Sequence, residues 1–338
     1  MNLTVVIPVY NGSKSIVRCL DSLAGQTYQD FRALLIDDGS TDGSSDVIRA
    51  WTEAHPSVEA RLVSRSNSGA AETRNYGIAQ TETEYIAFID QDDYVTPDYL
   101  QTYVDTAQST GADIVCGGYQ RYDADNHRAL RTVSLTPGPW AKFVVTAPWA
   151  HLYRTDFLKS NGVRFLKTSI GEDVYFSLMA YAHTDRVVII PHTGYYWVDN
   201  PVSVSNDRQK RVSKQVDPFI LLNALDADMP KDGKIDRRYL EYYLYRYVVW
   251  YLLFTVRGSS RSQVVSQYHR LMKWLKARYP MFEKNELISL FGPKGEPFSI
   301  RLSVWGFTLL YKTHLIVPFL KFLARRDNPL ADKEDESL

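Results

Sequence analysis

The segment Asp90-Gln91-Asp92-Asp93 follows the apolar run Tyr85–Ile89. Such a run is typical of a buried strand, which gathers these carboxylates at its C-terminal end. Like charges so close together repel, and loss of water makes their burial more costly. A divalent cation relieves both effects, and Mg²⁺ takes one or two protein carboxylates and completes its coordination with water and phosphate oxygens. The cluster therefore favours a metal–diphosphate site over an ordinary acidic loop.

A second acidic strand end occurs earlier in the chain. The apolar segment Phe31–Ile36 leads into Asp37-Asp38-Gly39-Ser40-Thr41-Asp42. In open α/β sheets, ligands bind beyond the carboxyl ends of the strands. Two acidic ends in one sheet can share one ligand, with one end holding the metal and the other accepting hydrogen bonds from a base or a ribose.

The spacing of apolar residues predicts the elements that position these groups. Strands alternate with helices through the first part, which indicates an α/β fold with a mainly parallel sheet covered on both faces. The predicted strands are residues 3–9, 31–36, 61–63, 85–89, 112–116 and 187–190, and the predicted helices are residues 13–24, 46–54, 68–79, 97–109, 154–160 and 172–181. From about residue 208 the pattern is helical and rich in Tyr and Trp, so we predict domains at 1–207 and 208–338.

Composition limits the class of protein. The chain has 338 residues, 45% of them hydrophobic, with 39 Lys and Arg against 39 Asp and Glu. This balance argues against nucleic acid as the main partner. Its two cysteines, Cys19 and Cys116, have no metal-ligand spacing and are predicted to be buried thiols in a reducing cytosol. No signal peptide is predicted, and no apolar stretch approaches the roughly 20 residues that span a bilayer.

A series of motifs along residues 1–206 resembles the family 2 glycosyltransferases with the GT-A fold. The motifs are Val6-Ile7-Pro8-Val9-Tyr10-Asn11, Ile36-Asp37-Asp38-Gly39-Ser40-Thr41-Asp42, Asn67-x-Gly69 with Arg74-Asn75-x-Gly77, Phe88-Ile89-Asp90-Gln91-Asp92-Asp93 with Pro97-x-x-Leu100, Trp149-x-x-Leu152-Tyr153, Gly171-Glu172-Asp173-x-x-Phe176, and Tyr195-Tyr196 with Ser203-x-Ser205. The resemblance implies inverting transfer of a sugar from a nucleotide diphosphate donor, with UDP-sugars favoured and Mn²⁺ or Mg²⁺ as cofactor. It also implies a nucleotide-sugar half at about 1–118 and an acceptor half at about 119–207.

The resemblance assigns expected roles by position. Asp92 would be the main metal ligand, Asp90 would face the ribose and the metal, Asp173 would be the general base, and Glu172 would support it or touch the acceptor. The expected contacts to the donor or acceptor are Pro8, Val9 and Tyr10 at the nucleobase, Asp38 on the base, Arg74 near the donor, Trp149 as a wall of the acceptor pocket, and Ser203 with Ser205 near the diphosphate.

The chemistry of the transfer asks for the same two acidic sites. A metal offsets the charge of the leaving diphosphate. A separate base takes the proton of the attacking hydroxyl. Glu172-Asp173 opens a predicted helix, where the helix dipole favours ionised carboxylates. Without the resemblance, the ordinary acidity of a first helical turn would be the better explanation of this pair.

One departure concerns the diphosphate. Many relatives carry an arginine just after the aromatic strand, but this chain reads Tyr195-Tyr196-Trp197-Val198-Asp199-Asn200. Arg208 or Lys210 are candidates to replace it.

Two alternatives to a glycosyltransferase stay open at this point. They are a nucleotidyltransferase, although Pro8–Gly12 lacks the Gly-rich basic loop such enzymes usually carry, and a non-catalytic sugar-binding protein of the same fold. The predicted partners are a nucleotide-sugar donor and a glycan or lipid-linked acceptor in cell-surface polysaccharide (capsule) synthesis, and a homo-oligomer is also considered. The predicted location is cytoplasmic. Aromatic and basic residues at 302–326 add the hypothesis of peripheral membrane contact, against a helical subdomain packed on protein.

Overall fold

The computed structural model describes residues 1–199, 211–213, 216–256 and 258–327. Contacts divide the chain into two compact units, Met1–Asp199 with Asp228–Lys234 and Asn200–Ala227 with Ile235–Leu338. The domain boundary predicted near residue 207 lies outside the described residues. In the ranges given above, no helix combines the length and apolarity that crossing a bilayer requires.

The strands of the first unit form two sheets. They are β1 Leu3–Val9, β2 Phe31–Asp37, β3 Glu59–Ser64, β4 Tyr85–Phe88, β5 Tyr94–Val95, β6 Ile114–Cys116, β7 Tyr119–Asp123, β8 Arg128–Val133, β9 His151–Arg154, β10 Val187–Ile189 and β11 Tyr195–Val198. Among the described residues, one sheet has the order β10-β6-β9-β4-β1-β2-β3 and the other the order β5-β11-β7-β8. Of the described strands in the larger sheet, β9 alone runs antiparallel to its neighbours, so the prediction of a mainly parallel sheet is confirmed.

The central strands follow from their sequences. Strands β1, β2 and β4 are almost continuous runs of apolar residues, and nearly every side chain in them is buried. This is the pattern of parallel strands covered by helices on both faces. Parallel pairing of β1 with both β2 and β4 then brings Val9, Asp37 and Phe88 to one edge of the sheet. The acidic segments that follow β2 and β4 consequently begin at the same edge.

The helices of the first unit lie between these strands. They are α1 Ile16–Ala24, α2 Ser44–Ala54, α3 Ala70–Gln80, α4 Tyr99–Thr110, α5 Thr155–Ser160 and α6 Glu172–His183. Helix α3 packs closely on β1, because a Cβ added at Gly77 would lie 2.5 Å from Cγ1 of Val6. Since Arg74 lies three residues before Gly77, on the same side of α3, this close approach fixes where the arginine sits relative to the sheet.

The second unit is helical, as predicted. Its helices are α7 Pro218–Asp228 (whose last residue belongs to the first unit), α8 Arg237–Trp250, α9 Arg261–Arg278, α10 Phe298–Lys312 and α11 Ile316–Asp327. Helix α9 begins with a capping box in which the Ser260 hydroxyl accepts from the Gln263 amide and the Gln263 side chain accepts from the Ser260 amide. Such reciprocal bonds satisfy two of the amides that a helix leaves unpaired at its start.

Candidate active site

The acidic strand end after β4 is held in place by β11. The Tyr195 hydroxyl donates to Oδ2 of Asp93 at 2.6 Å and accepts from the Asp90 amide at 3.2 Å. The Val198 amide donates to the other oxygen of Asp93 at 2.9 Å. Asp93 is buried, and burial raises its pKa well above the usual range, with the charges of Asp92 and Asp90 adding to the shift. Asp93 therefore acts as a structural anchor, while Asp90 and Asp92 are half-buried.

Arg74 joins this strand end to the second carboxylate group. Its Nη2 donates to Oδ1 of Asp90 at 2.6 Å, and the guanidinium is buried. Burial disfavours the charged guanidinium, but the negative charges of Asp90, Glu172 and Asp173 outweigh it and raise the pKa of Arg74. Asp90 and Glu172, which are 82 residues apart in sequence, thus both interact with the Arg74 guanidinium.

Phe165 reinforces the same link. The Asn75 side-chain amide donates to the Phe165 carbonyl at 2.9 Å, and the Phe165 amide donates back to Oδ1 of Asn75 at 2.7 Å. The Arg74 guanidinium also lies over the Phe165 ring, 5.5 Å from its centre. The segment that leads into α6 is therefore fastened to α3 at two consecutive residues.

Asp173 lies in the first turn of α6, after Gly171 in the left-handed conformation (φ 78°). Its Oδ1 accepts from the Val174 amide at 2.7 Å. Burial, helped by the charge of Glu172, raises the pKa of Asp173 to about 7, although the amide bond and Arg74 oppose the rise. A carboxylate that titrates near neutral pH is suited to accept a proton as a general base.

The loop after β1 presents an aromatic ring beside the acidic strand end. Tyr10 is half-exposed. Its amide donates to Oε1 of Gln91 at 2.9 Å, and Nε2 of Gln91 donates to its carbonyl at 2.9 Å. A Cβ added at Gly12 would overlap that same Oε1, so these two hydrogen bonds between Gln91 and Tyr10, here called the clasp, need a glycine at position 12. Gln91 consequently fixes Tyr10 relative to Asp90 and Asp92.

Asp38 organises a neighbouring turn. It is buried, and its carboxylate accepts from the Ser68 amide at 2.8 Å, the Ser68 hydroxyl at 3.0 Å and the Gly69 amide at 2.8 Å. Its own amide donates to the Val9 carbonyl at 2.8 Å. A carboxylate offers about four acceptor positions, so capacity for about one further bond remains. Its expected contact with a nucleobase stays a prediction.

An aromatic cluster lies on the side of β11. The Trp149 ring stacks on Tyr195 with centres 4.7 Å apart, and Trp197 lies 6.1 Å from Trp149. Trp149 is half-buried and Trp197 is exposed. Because Tyr195 contacts both Asp90 and Asp93, Trp149 is one ring away from the acidic strand end, where an acceptor wall was expected.

Asp90 and Asp92 fit the needs of Mn²⁺ or Mg²⁺. Among the side chains that the structure describes, no group of three or more His, Cys, Asp or Glu is arranged to hold a metal ion. These ions need only one or two protein carboxylates when a diphosphate supplies further ligands. Burial raises the pKa of the Cys19 thiol, and the negative charges of Asp93, Asp92 and Asp90 raise it further. The strand end therefore concentrates the charge and the oxygen ligands that such an ion takes.

Sequence reasoning named most of these residues but missed the groups that orient them. Tyr195, Gln91 and Asn75 all lay inside the motifs without an assigned role. A half-buried amide side chain next to paired carboxylates was the available signal for Gln91, since an amide can both donate and accept. Ser203, Ser205, Arg208 and Lys210 lie outside the described residues.

Comparisons with known proteins agree with this architecture. The family described as Glycosyl transferase family 2 matches residues 4–169. Residues 4–169 therefore carry a family 2 glycosyltransferase domain, and the fold is the GT-A fold. The predicted fold and enzyme class are confirmed.

Particular relatives resemble parts of the chain. The uncharacterized glycosyltransferase EpsJ of Bacillus subtilis is 27% identical over 222 residues, which cover 60% of this chain and 62% of that protein. The poly(ribitol-phosphate) β-N-acetylglucosaminyltransferase TarS of Staphylococcus aureus is 26% identical over 205 residues, covering 58% of this chain and 35% of that protein. The matched regions thus span less than two thirds of these relatives.

Solved structures share the fold. TarS residues 1–349 in complex with UDP-GlcNAc superpose with a TM-score of 0.71 at 18% identity, covering 97% of this chain and 93% of that one. The mannosyltransferase PcManGT of Pyrobaculum calidifontis, in complex with GDP-Man and Mn²⁺, gives a TM-score of 0.50 at 17% identity, covering 97% and 86%.

Proposed function

We propose that this glycosyltransferase moves a sugar, with inversion, from a UDP-sugar to a hydroxyl of a glycan or lipid-linked acceptor in cell-surface polysaccharide synthesis. The observation that carries the proposal is the position of Arg74. It pairs with Asp90 on the expected donor side and interacts with Glu172 and Asp173 on the expected acceptor side. Displacement at an anomeric carbon needs two such acidic sites close to one another.

On the donor side, Asp92 and Asp90 would hold Mn²⁺ or Mg²⁺. The bound ion would supply positive charge to the departing diphosphate. Tyr10 would stack on the nucleobase, bordered by Pro8 and Val9, while Asp38 would keep the neighbouring Ser68–Gly69 turn in place and accept from the base.

On the acceptor side, Asp173 would take the proton of the attacking hydroxyl at a carboxylate oxygen. Glu172 raises the pKa of this base and so increases its strength, whereas Arg74 keeps enough of it ionised at neutral pH. Trp149 and the exposed Trp197 would provide the flat apolar surface against which a sugar ring packs.

Relatives support the donor and the pathway. TarS is a poly(ribitol-phosphate) β-N-acetylglucosaminyltransferase, and its structure was solved with UDP-GlcNAc. PcManGT was solved with Mn²⁺. The proposal includes a cytoplasmic location, in keeping with two free and buried cysteines, Cys19 and Cys116.

The test is release of UDP from a panel of UDP-sugars by the purified protein with Mn²⁺. We expect Mn²⁺-dependent release that Asp92→Asn and Asp173→Asn both lower by at least about a hundredfold, while the exposed control Asp185→Asn leaves it unchanged. If every UDP-sugar fails to be cleaved and fails to raise the melting temperature, the proposed donor is wrong.

A further inference from the structure

Helix α10 carries a row of apolar side chains that are left in solvent. Phe298, Leu302, Trp305 and Leu309 are 57%, 46%, 37% and 48% exposed. Their spacing of four, three and four residues places them on one face of the helix. The row is roughly 16 Å long at 1.5 Å per residue.

The other side of α10 is used for packing. Val304, Phe307 and Thr308 are buried, and the Thr308 hydroxyl is 2.9 Å from that of Tyr245. Helix α10 therefore has two apolar faces, of which one is packed against the protein and the other, the exposed row, is not.

The charged residues in the stretch of sequence that carries this row have one sign. Between Glu296 and Asp327 the sequence holds no Asp or Glu and carries the basic residues Arg301, Lys312, Lys321, Arg325 and Arg326. The Arg301 guanidinium lies over the Phe298 ring, 5.7 Å from its centre, and Lys312 is exposed. This segment is thus strongly basic in a chain whose formal net charge is zero.

Helix α11 also combines exposed apolar side chains with exposed basic ones. Phe322 is exposed next to the exposed Lys321, and Leu315, just before the helix, is exposed as well. Buried Ile316, Leu320 and Ala324 occupy its opposite side. Both helices consequently present apolar side chains together with cations.

We propose that α10 and α11 bind an anionic phospholipid surface, with the apolar row entering the acyl boundary and the cations contacting headgroup phosphates. Exposed aromatic and aliphatic residues flanked by Lys and Arg are the features that hold a helix in a bilayer interface. A second copy of this chain is a poorer occupant, because a symmetric contact would place the cations of α10 and α11 against their own counterparts. The proposal does not depend on the identity of the donor or the acceptor.

The test is flotation of the full chain with vesicles of phosphatidylglycerol and phosphatidylcholine, compared with phosphatidylcholine alone. We expect binding to the anionic vesicles, weakened by salt because the attraction is electrostatic in part. The double variant Leu302→Ser with Trp305→Ser should lower the partition coefficient at least about tenfold. Phe291→Ser, a change at an apolar residue that is 88% exposed and outside both helices, is the matched control.

A second pair of variants tests the charges. Lys312→Glu should also weaken binding at least about tenfold, whereas the exposed Lys294→Glu, outside both helices, should change it far less. Equal binding to neutral and anionic vesicles, or full binding by the double serine variant, overturns the proposal. So does a dimer in lipid-free solution that Trp305→Ser dissociates, because that result would assign the face to a second copy.

Discussion

Nη2 of Arg74 lies 2.6 Å from Oδ1 of Asp90, in an ion pair whose arginine is 7% exposed. The charge of the same guanidinium acts on Glu172 and Asp173. One buried cation thus connects the strand end expected to bind the donor with the helix start expected to activate the acceptor. Removing it should affect both stability and activity.

We predict that Arg74→Met lowers the free energy of unfolding by about 3 kcal/mol, because a charge left unpaired in a partly buried site is costly. Urea denaturation measures the change. Arg49→Met is the matched control, since Arg49 pairs with Asp46 at 2.8 Å on the exposed surface and such pairs contribute about 0.5 kcal/mol or less. Equal losses in the two variants would contradict the assigned role of Arg74.

The pKa of Asp173 predicts a pH dependence. Because the base must be ionised, kcat/KM should fall as pH drops below about 7, the value to which burial and Glu172 raise this pKa. In Glu172→Gln one cause of the rise is absent, so the acidic limb of the profile should move to lower pH. A pH–rate profile of both proteins tests this, and an unchanged limb in the variant would rule out Asp173 as the titrating group.

Ionisation of Asp173 should raise the activity but lower the stability of the fold. A carboxylate whose folded pKa exceeds its unfolded value near 3.8 binds its proton more tightly in the folded state. Its contribution to stability therefore declines as pH rises from about 4 to about 7. Asp173→Asn removes this penalty, so the variant should be inactive yet melt at a higher temperature than the wild type at pH 8.

The difference between the melting temperatures of the wild type and Asp173→Asn should shrink towards pH 4, where the side chain at position 173 is neutral in both folded proteins. A variant that melts below the wild type at pH 8 would show that the carboxylate stabilises the fold.

The clasp between Gln91 and Tyr10 positions the Tyr10 ring, and a double-mutant cycle can test this role. Gln91→Ala removes two hydrogen bonds and should raise the KM for the donor about tenfold. Gly12→Ala should have a similar effect, because its Cβ would occupy the place of the Gln91 amide oxygen. The double variant should be no worse than either single change, since both act through one contact. Additive effects in a double-mutant cycle would contradict the clasp.

Sequence patterns predicted the larger sheet because its central strands are continuous apolar runs, of which Leu3–Val9 is the clearest. They failed for β7 and β8. Every side chain of Tyr119–Asp123 is half-buried, and Arg128–Val133 is exposed except at its last residue. These strands are held by pairing with neighbouring strands rather than by burial, so their sequences show no regular alternation of apolar and polar residues.

The site shows a similar division. Carboxylates at strand and helix ends were found from the chemistry that they can perform and from the family resemblance. In the structure Arg74 pairs with Asp90, and the charge of Asp173 contributes to the raised pKa of Arg74. The contact of Tyr195 with Asp93 joins residues 102 positions apart. Nothing local in the sequence encodes such a contact, because it depends on how β5 and β11 pair in the second sheet.

The most direct test of the account is calorimetric titration of UDP, with and without Mn²⁺, into the wild type, Asp92→Asn and Asp173→Asn. We predict that Mn²⁺ strengthens UDP binding at least about tenfold in the wild type and in Asp173→Asn, and that this gain disappears in Asp92→Asn. The same Mn²⁺-dependent gain in Asp92→Asn would contradict the assignment of the donor metal to the strand end at Asp90–Asp93.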